Sequence, residues 1–475
     1  MYRVLWALGI SVLVLLLAGF IVLASAGGEN GMRIFGNEHH FLIRQAIWLG
    51  ISLPCMFAAA RIDYHKWRDL KWMTWLVYGV VVVLLVVVLF GPETKGSRRW
   101  IGYGAVKLQP SELAKLAVVI TTAVYLDAKG WMLARFWKGA FRAAVVVAIP
   151  IALVLKEPDF GASFVIGAAG AVLFLVAGMK MLHFLSFAGF GIVVVATMLS
   201  FNANRMNRIN SWVKSAFQDT SVPVEQVEKA AADSLAELKR AAEPQRPAPA
   251  AVATRARAAM KAAEDVLDYE KGRAMEEGIE AVLKNVSMRL QAEPPSFAAL
   301  RKTLRGQIRS RDKAKAAAHQ LDNSLVAIQR GKLAGVGFYE SKQKRKYLPE
   351  AHTDFIFPIG AEEWGLGFSL GILLCFTGLF ACGVTIAARA PDALGRMLAY
   401  GMSLLVYSQA LFNLGVVTGC LPTKGIALPF ISYGGTNLLT AMVAVGFLFN
   451  VGRQIGLQTP RSRSKLSPVF STQGV

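Results

Sequence analysis

The distribution of apolar residues constrains this chain before any motif does. They collect into long runs, with residues 4–24, 42–60 and 72–89 first among them, each close to the roughly 20 residues that carry a helix across a ~30 Å hydrocarbon core. Seven further apolar segments follow, at residues 113–125, 143–155, 162–177, 184–199, 366–387, 397–417 and 438–449. The pattern predicts an all-α polytopic membrane protein with about ten transmembrane helices. Only 17% of the residues are charged, against about 25% in an ordinary soluble domain, so a soluble enzyme is excluded. The net charge of +21 suits an anionic partner, and the apolar runs select membrane lipids over nucleic acid. Three of the four cysteines, Cys55, Cys375 and Cys382, lie inside apolar runs, so no disulfide is expected.

An even number of spans puts both termini on one side, and Lys and Arg in the short loops say which. Arg61, Lys66, Arg68 and Lys71, then Lys129, Arg135, Lys138 and Arg142, then Arg453, Arg461, Arg463 and Lys465 all fall on the side of the N-terminus. That side is expected to be cytoplasmic in a multi-pass protein of the inner membrane. The first run is read as a retained span rather than a cleaved signal peptide. Four regions follow: a membrane domain at 1–214 with seven spans, an extracytoplasmic insert at 215–319, a catalytic loop with the last three spans at 320–455, and a cytoplasmic tail at 456–475. The insert is rich in Ala, Glu, Lys and Arg with apolar residues at helical spacing, as in Val227, Ala231, Leu235 and Leu238, which reads as soluble helices broken at Pro244, Pro247 and Pro249 and again at Pro294 and Pro295. A solvated spacer with no partner fits the same composition equally well.

Polar stretches mark the outer face: KGSRRW (95–100) with QPSE (109–112), EPDFG (157–161), YLPEAHTDFIF (347–357) and LPTKGIALPFISYGG (421–435). They offer the cations Lys95, Arg98, Arg99 and Lys424, the carboxylates Glu112, Asp159, Glu350 and Asp354, and the imidazole of His352. Cations beside an isolated carboxylate at a bilayer suit a phosphorylated lipid, the cations holding phosphate and the carboxylate taking a proton. Each element also has a plainer reading. The basic trio could bind lipid headgroups; Thr353 with Asp354, Ser111 with Glu112, and Asp159 could be helix caps; Gln409 and Asn413 could be interhelical glue.

Taken together and in order, KGSRRWI, QPSELAKLA, EPDFG, SKQKRKYLPEAHTDFIF and LPTKGIALPFISYGGTN resemble the SEDS (RodA/FtsW) family of bacterial wall polymerases, over the whole chain apart from 215–319. The Thr-Lys-Gly at 423–425 and the Pro-Glu-Ala-His-Thr-Asp run are similar to the cell-division branch more than the elongation branch. The resemblance implies a peptidoglycan glycosyltransferase that joins lipid II units at the outer face of the membrane in septal wall synthesis. It also implies partnership with a class B penicillin-binding protein, a transpeptidase, and other divisome proteins. Carried over by motif, the catalytic carboxylate is Asp354; Lys95, Arg98, Arg99, Glu112, Asp159, His352 and Lys424 are the expected substrate-binding residues. A divalent cation, Mg or Mn, could assist on the pyrophosphate, although no His/Cys cluster marks a metal site. The alternatives are a lipid II flippase, an elongation polymerase of the same family, and a scaffold that recruits a synthase through the insert.

Overall fold

A computed structural model gives the fold and describes all residues except 92–97, 103–106, 158, 201–223, 244–247, 266–268, 291–293, 345–350, 423–424 and 458–475. Lys95, Glu350 and Lys424, the first residues of the insert, Pro244, Pro247 and most of the tail therefore lie outside the described residues. Two compact units divide the chain, one made of 1–192 with 321–475 and the other of 193–320.

Helices in chain order are α1 (Tyr2–Phe35), α2 (His40–Arg61), the short α3 (His65–Asp69), α4 (Lys71–Leu89), α5 (Pro110–Lys129), α6 (Phe141–Lys156), α7 (Phe160–Val176) and α8 (Met181–Ser200). The insert contributes α9 (Val224–Ala242), α10 (Pro249–Asp265) and α11 (Tyr269–Arg289), followed by α12 (Pro295–Gly331). Three more close the chain: α13 (Ile356–Arg389), α14 (Ala393–Val417) and α15 (Gly435–Leu457). Each apolar segment read from the sequence falls, to within a residue, on one of these helices. The protein is a polytopic all-α membrane protein. Among the described residues seven helices are long and apolar enough to cross a membrane. α7, at 17 residues, is apolar but shorter.

The polar content of α5 has a packing explanation. Glu112, Lys115, Thr121 and Thr122 are all buried, because α5 is enclosed by neighbouring helices and needs no apolar face toward lipid. α14 and α15 are likewise central, with 61% and 72% of their most apolar windows buried, against 22% for α2. α4 shows the opposite character, exposing Val80, Val83 and Val87 as a helix bathed in hydrocarbon must.

α13 is broken at Gly365, whose φ of 70° and ψ of −158° are open to glycine and strained for other residues. Helix breaks inside a membrane protein need substitute partners for the freed backbone groups, and here the segment 332–344 supplies them. The amides of Val336 and Gly337 donate to the carbonyls of Glu362 (2.9 Å) and Glu363 (3.1 Å), and the Leu366 amide donates to the Lys332 carbonyl (2.9 Å). The half-helix before the break, 356–364, is therefore bound by this strap rather than by continuous helix.

The insert has its own apolar core, with Leu238, Val252, Ile279, Leu283, Phe297 and Leu304 buried together. A unit with a core of its own could in principle fold alone. Replacing 224–319 by a short Gly/Ser linker is expected to leave the membrane unit folded, with a single cooperative melting transition in detergent. A protein that aggregates or loses that transition would show the two units to be interdependent.

Candidate active site

The candidate residues gather at one end of the bundle because successive helices alternate in direction. The C-terminal ends of α4, α6 and α14 and the N-terminal ends of α5, α7, α13 and α15 meet there. At the base of this end sits a buried polar knot. Lys115, 2% exposed, pairs with Glu112 at 2.7 Å and donates to Gln409 Oε1 at 2.5 Å. Thr440 Oγ1 of α15 donates to Glu112 Oε2 at 3.2 Å. Gln409 then donates to Asn437 Oδ1 (2.7 Å) and to the carbonyl of Ala427 (2.9 Å). One charged pair thus links α5, α14, α15 and the 421–435 loop.

That loop is held closely. Asn413 Nδ2 donates to the carbonyls of Ile426 (2.6 Å) and Asp354 (2.8 Å). Ser432 Oγ donates to Thr353 O at 2.6 Å, and the Tyr433 amide to His352 O at 3.0 Å. The backbone of His-Thr-Asp is consequently clamped residue by residue. Asp354 is half-buried, and its carboxylate lies directly against Gly425, where an added Cβ would collide with Oδ2. Its position is not that of a cap: the N-cap of α13 is Phe355, with no side-chain cap hydrogen bond. The His352 ring stacks on Phe41 with centroids 4.1 Å apart and lies 5.9 Å from the ring of Tyr433, so it packs against aromatic rings of α2 and the 421–435 loop.

EPDFG joins the same cluster. Asp159 caps α7, accepting from the Ala162 amide at 3.2 Å, and it also accepts from Gln109 Nε2 at 3.2 Å and faces Arg99 at 3.8 Å. Arg99 Nε donates to the Glu157 carbonyl at 3.1 Å. Gly161 lies against Ile426, next to Gly425, closely enough that a Cβ would overlap its side chain. Asp354, Asp159, Arg99 and Glu112 are therefore brought to one region, through contacts with the loops and helix ends between them. Arg98 differs: it is exposed and donates to the Leu89 carbonyl at 3.0 Å, at the end of α4.

Sequence reasoning passed over three residues. Lys115 lies within QPSELAKLA, where its i,i+3 spacing from Glu112 places both on one helix face. Lys344 stood among a basic run and instead turns inward, where it meets Glu363 at 3.1 Å. Glu157, the first residue of EPDFG, is 1% exposed, and neither of its side-chain oxygens has a hydrogen-bond partner among the described residues. Burial, with the nearby Asp159 charge adding to it and Arg99 opposing it, pushes the Glu157 carboxyl up to about 8, which favours its neutral form.

Two outcomes follow from this geometry. Gly425→Ala is expected to lower turnover about tenfold or more by displacing the Asp354 carboxylate, while expression and melting temperature stay near the parent; parental turnover would show that the carboxylate relaxes without consequence. For Glu157 the sign is fixed by linkage: the unfolded carboxyl releases its proton near 4.5 and the folded one near 8, so the unfolded state binds fewer protons and stability falls as pH rises through that window. Glu157→Gln removes the effect. Its melting temperature should exceed the parent's by an amount that grows from pH ~5 to pH ~8 and vanishes near pH 4, and a constant difference across this range would contradict a protonated Glu157.

A family model described as FTSW_RODA_SPOVE, cell cycle protein, matches residues 6–230 and 305–456, leaving out the middle of the insert. The chain is 30% identical to a probable peptidoglycan glycosyltransferase FtsW of Geobacter metallireducens, over 92% of this chain and 91% of that one. It is 28% identical to the stage V sporulation protein E of Bacillus subtilis, over 93% and 94%. Among solved structures, the rod shape determining protein RodA of Thermus thermophilus superimposes with a TM-score of 0.55 at 21% identity, covering 94% of this chain and 96% of that one. A chain from a peptidoglycan synthase complex gives a TM-score of 0.57 at 21% identity, covering 95% and 98%. At such identity these structures bear on the fold alone, which is shared, while the sequence match extends along nearly the whole chain. The chain belongs to the FtsW/RodA/SpoVE family of cell cycle proteins.

Proposed function

We propose that this chain is a peptidoglycan glycosyltransferase that polymerises lipid II into glycan strands, with Asp354 as its general base. The observation that carries the reading is the clamp on Asp354: its carbonyl is held by Asn413, the preceding residues by Ser432 and Tyr433, and its carboxylate rests on Gly425. A half-buried carboxylate held so firmly is suited to accept a proton from a sugar hydroxyl. The deprotonated oxygen attacks the anomeric carbon of the donor sugar from the side opposite the pyrophosphate, the glycosidic bond forms with inversion, and undecaprenyl pyrophosphate leaves. Arg99 and Arg98, with Lys95 and Lys424, are the cations proposed to hold the leaving phosphates. Lys344, which faces Glu363, is not among them.

The names of the relatives support septal wall synthesis, and the synthase-complex neighbour supports pairing with a class B penicillin-binding protein. The loop charges support a cytoplasmic-membrane protein with both termini inside and the Asp354 end outside. Among the described residues no three His, Cys, Asp or Glu side chains are grouped to hold a metal. Any divalent cation in the reaction is accordingly proposed to arrive with the substrate's pyrophosphate, and no step is assigned to it.

Asp354→Asn keeps the shape of the side chain and removes the base. With purified lipid II in liposomes, glycan-chain formation should fall by about a hundredfold or more, with melting temperature and lipid II binding close to the parent. Chain synthesis at the parental rate would overturn the assignment. A parent protein that moves lipid II across the bilayer without extending glycan would favour transport instead.

A further inference from the structure

The strap that crosses the break in α13 carries a second buried charge pair, set apart from the Lys115 knot. Lys344 has only 3% of its side chain exposed and Glu363 none. Lys344 Nζ donates to Ser25 Oγ of α1 (2.7 Å), to the Tyr339 carbonyl (2.7 Å) and to Glu363 Oε1 (3.1 Å), and it lies 3.9 Å from the centroid of the Tyr339 ring. Ser25 Oγ in turn donates to Glu363 Oε1 at 2.5 Å. The neighbouring Glu362, also fully buried, accepts from Ser341 Oγ (2.5 Å) and from the amides of Lys342 (3.2 Å) and Gln343 (3.3 Å), and faces Arg330 at 3.4 Å.

Two adjacent carboxylates on one half-helix thus bond to the strap, Glu362 through Ser341, Lys342 and Gln343 and Glu363 through Lys344, with Ser25 of α1 and Arg330 of α12 adding to them. A strap that only closed a loop would be held as well by apolar packing, at less desolvation cost. What a polar network adds is a narrower choice of arrangements, since its bonds have one geometry where greasy contacts have several; Glu363 takes both of its bonds on Oε1, and its Oε2 has no hydrogen-bond partner among the described residues. The object held is the half-helix 356–364. Asp354 stands two residues before its first residue, and Glu362 and Glu363 stand at its last turn, just before the break at Gly365. With the helix interrupted there, continuous helix no longer fixes the orientation of the half-helix, which the rest of α13 touches through Phe368 against Phe357 and Gly360.

We propose that Lys344 and Glu363, joined through Ser25, are positioning residues for the transfer reaction: they fix the half-helix that presents Asp354, and touch no substrate themselves. The proposal rests on the reading of Asp354 as the base. Loss of the clasp lets that carboxylate wander from the acceptor hydroxyl without altering how substrate is held, so the effect belongs in kcat. Displacements of about 1 Å can cost on the order of a hundredfold in such reactions.

The test compares Lys344→Met, Glu363→Gln and the double variant Lys344→Met with Glu363→Leu in the full-length protein, with Asp354→Asn alongside. Glycan synthesis from lipid II should show kcat lowered about tenfold to a hundredfold in each clasp variant, with KM within about twofold of the parent. Leaving one charge of a buried pair alone can unfold a single variant; the double variant removes both charges and keeps the test valid. Its melting temperature should return toward the parent while kcat stays low. Recovery of kcat together with melting temperature, or parental kcat in any folded clasp variant, overturns the proposal and makes the pair a structural one. If Asp354→Asn is inactive in that case, the reading of the base survives. If Asp354→Asn is active, the base reading fails and the clasp proposal falls with it.

Discussion

An ammonium group buried in a membrane protein tolerates few arrangements, and Lys115 imposes its arrangement on the helices around it. Moving such a charge out of water costs several kcal/mol unless a counter-ion and hydrogen-bond acceptors surround it. Glu112 supplies the charge and Gln409 the acceptor. Once the Gln409 carbonyl oxygen faces Lys115, its amide nitrogen must point the other way, and it donates to Ala427 and Asn437. The register of α14 against α5 and the seat of the 421–435 loop thus follow from the need to satisfy one charge. Asn413, one turn further along α14, extends the same logic to the carbonyls of Ile426 and Asp354.

The break at Gly365 is the complementary constraint. An unbroken α13 would align 356–364 with the rest of the helix and satisfy every backbone group internally. The left-handed glycine frees carbonyl and amide groups, which in a membrane setting must be matched by protein, and the 332–344 strap does so with its own backbone. The exchange puts the half-helix under the control of side chains from α1 and the strap. The residue order of the motif makes this effective, because His352, Thr353 and Asp354 immediately precede the half-helix and share its fate.

The fold was legible where one physical signal sufficed. Apolar length placed the membrane helices, because lipid exposure demands it of α4 and of the outer face of α1. It under-described α5, whose Glu112, Lys115 and Asp127 lower its hydropathy, since burial among other helices replaces exposure to lipid. The polar stretches were legible in the sequence, and the described parts of them, with Asp159 and Asp354, meet at one end of the bundle. Lys344 was not: in sequence it is one of several basic residues, and the partners that turn it inward, Ser25 and Glu363, lie 319 and 19 residues away. Glu157 escaped for a related reason. What distinguishes it from Asp159 is burial without a partner, a property of the packed helix ends rather than of the EPDFG letters.

The division of labour among the carboxylates at this end of the bundle narrows the choice of base. Glu112 is committed to Lys115 and Thr440. Asp159 is committed to the α7 amide it caps, to Gln109 and to Arg99, so a proton arriving there would break a cap and weaken an ion pair. Burial pushes the Glu157 carboxyl up to about 8, which favours the protonated form, and that form cannot take a further proton from a sugar hydroxyl. Glu362 and Glu363 are buried among the strap, α1 and α12. Asp354 differs in being partly open to solvent while its backbone is immobilised from both sides, the combination a base needs if substrate is to reach it and find it in place. Among the described residues, the environments of these other carboxylates work against proton transfer, and the same environments hold the loops on which Asp354 rests.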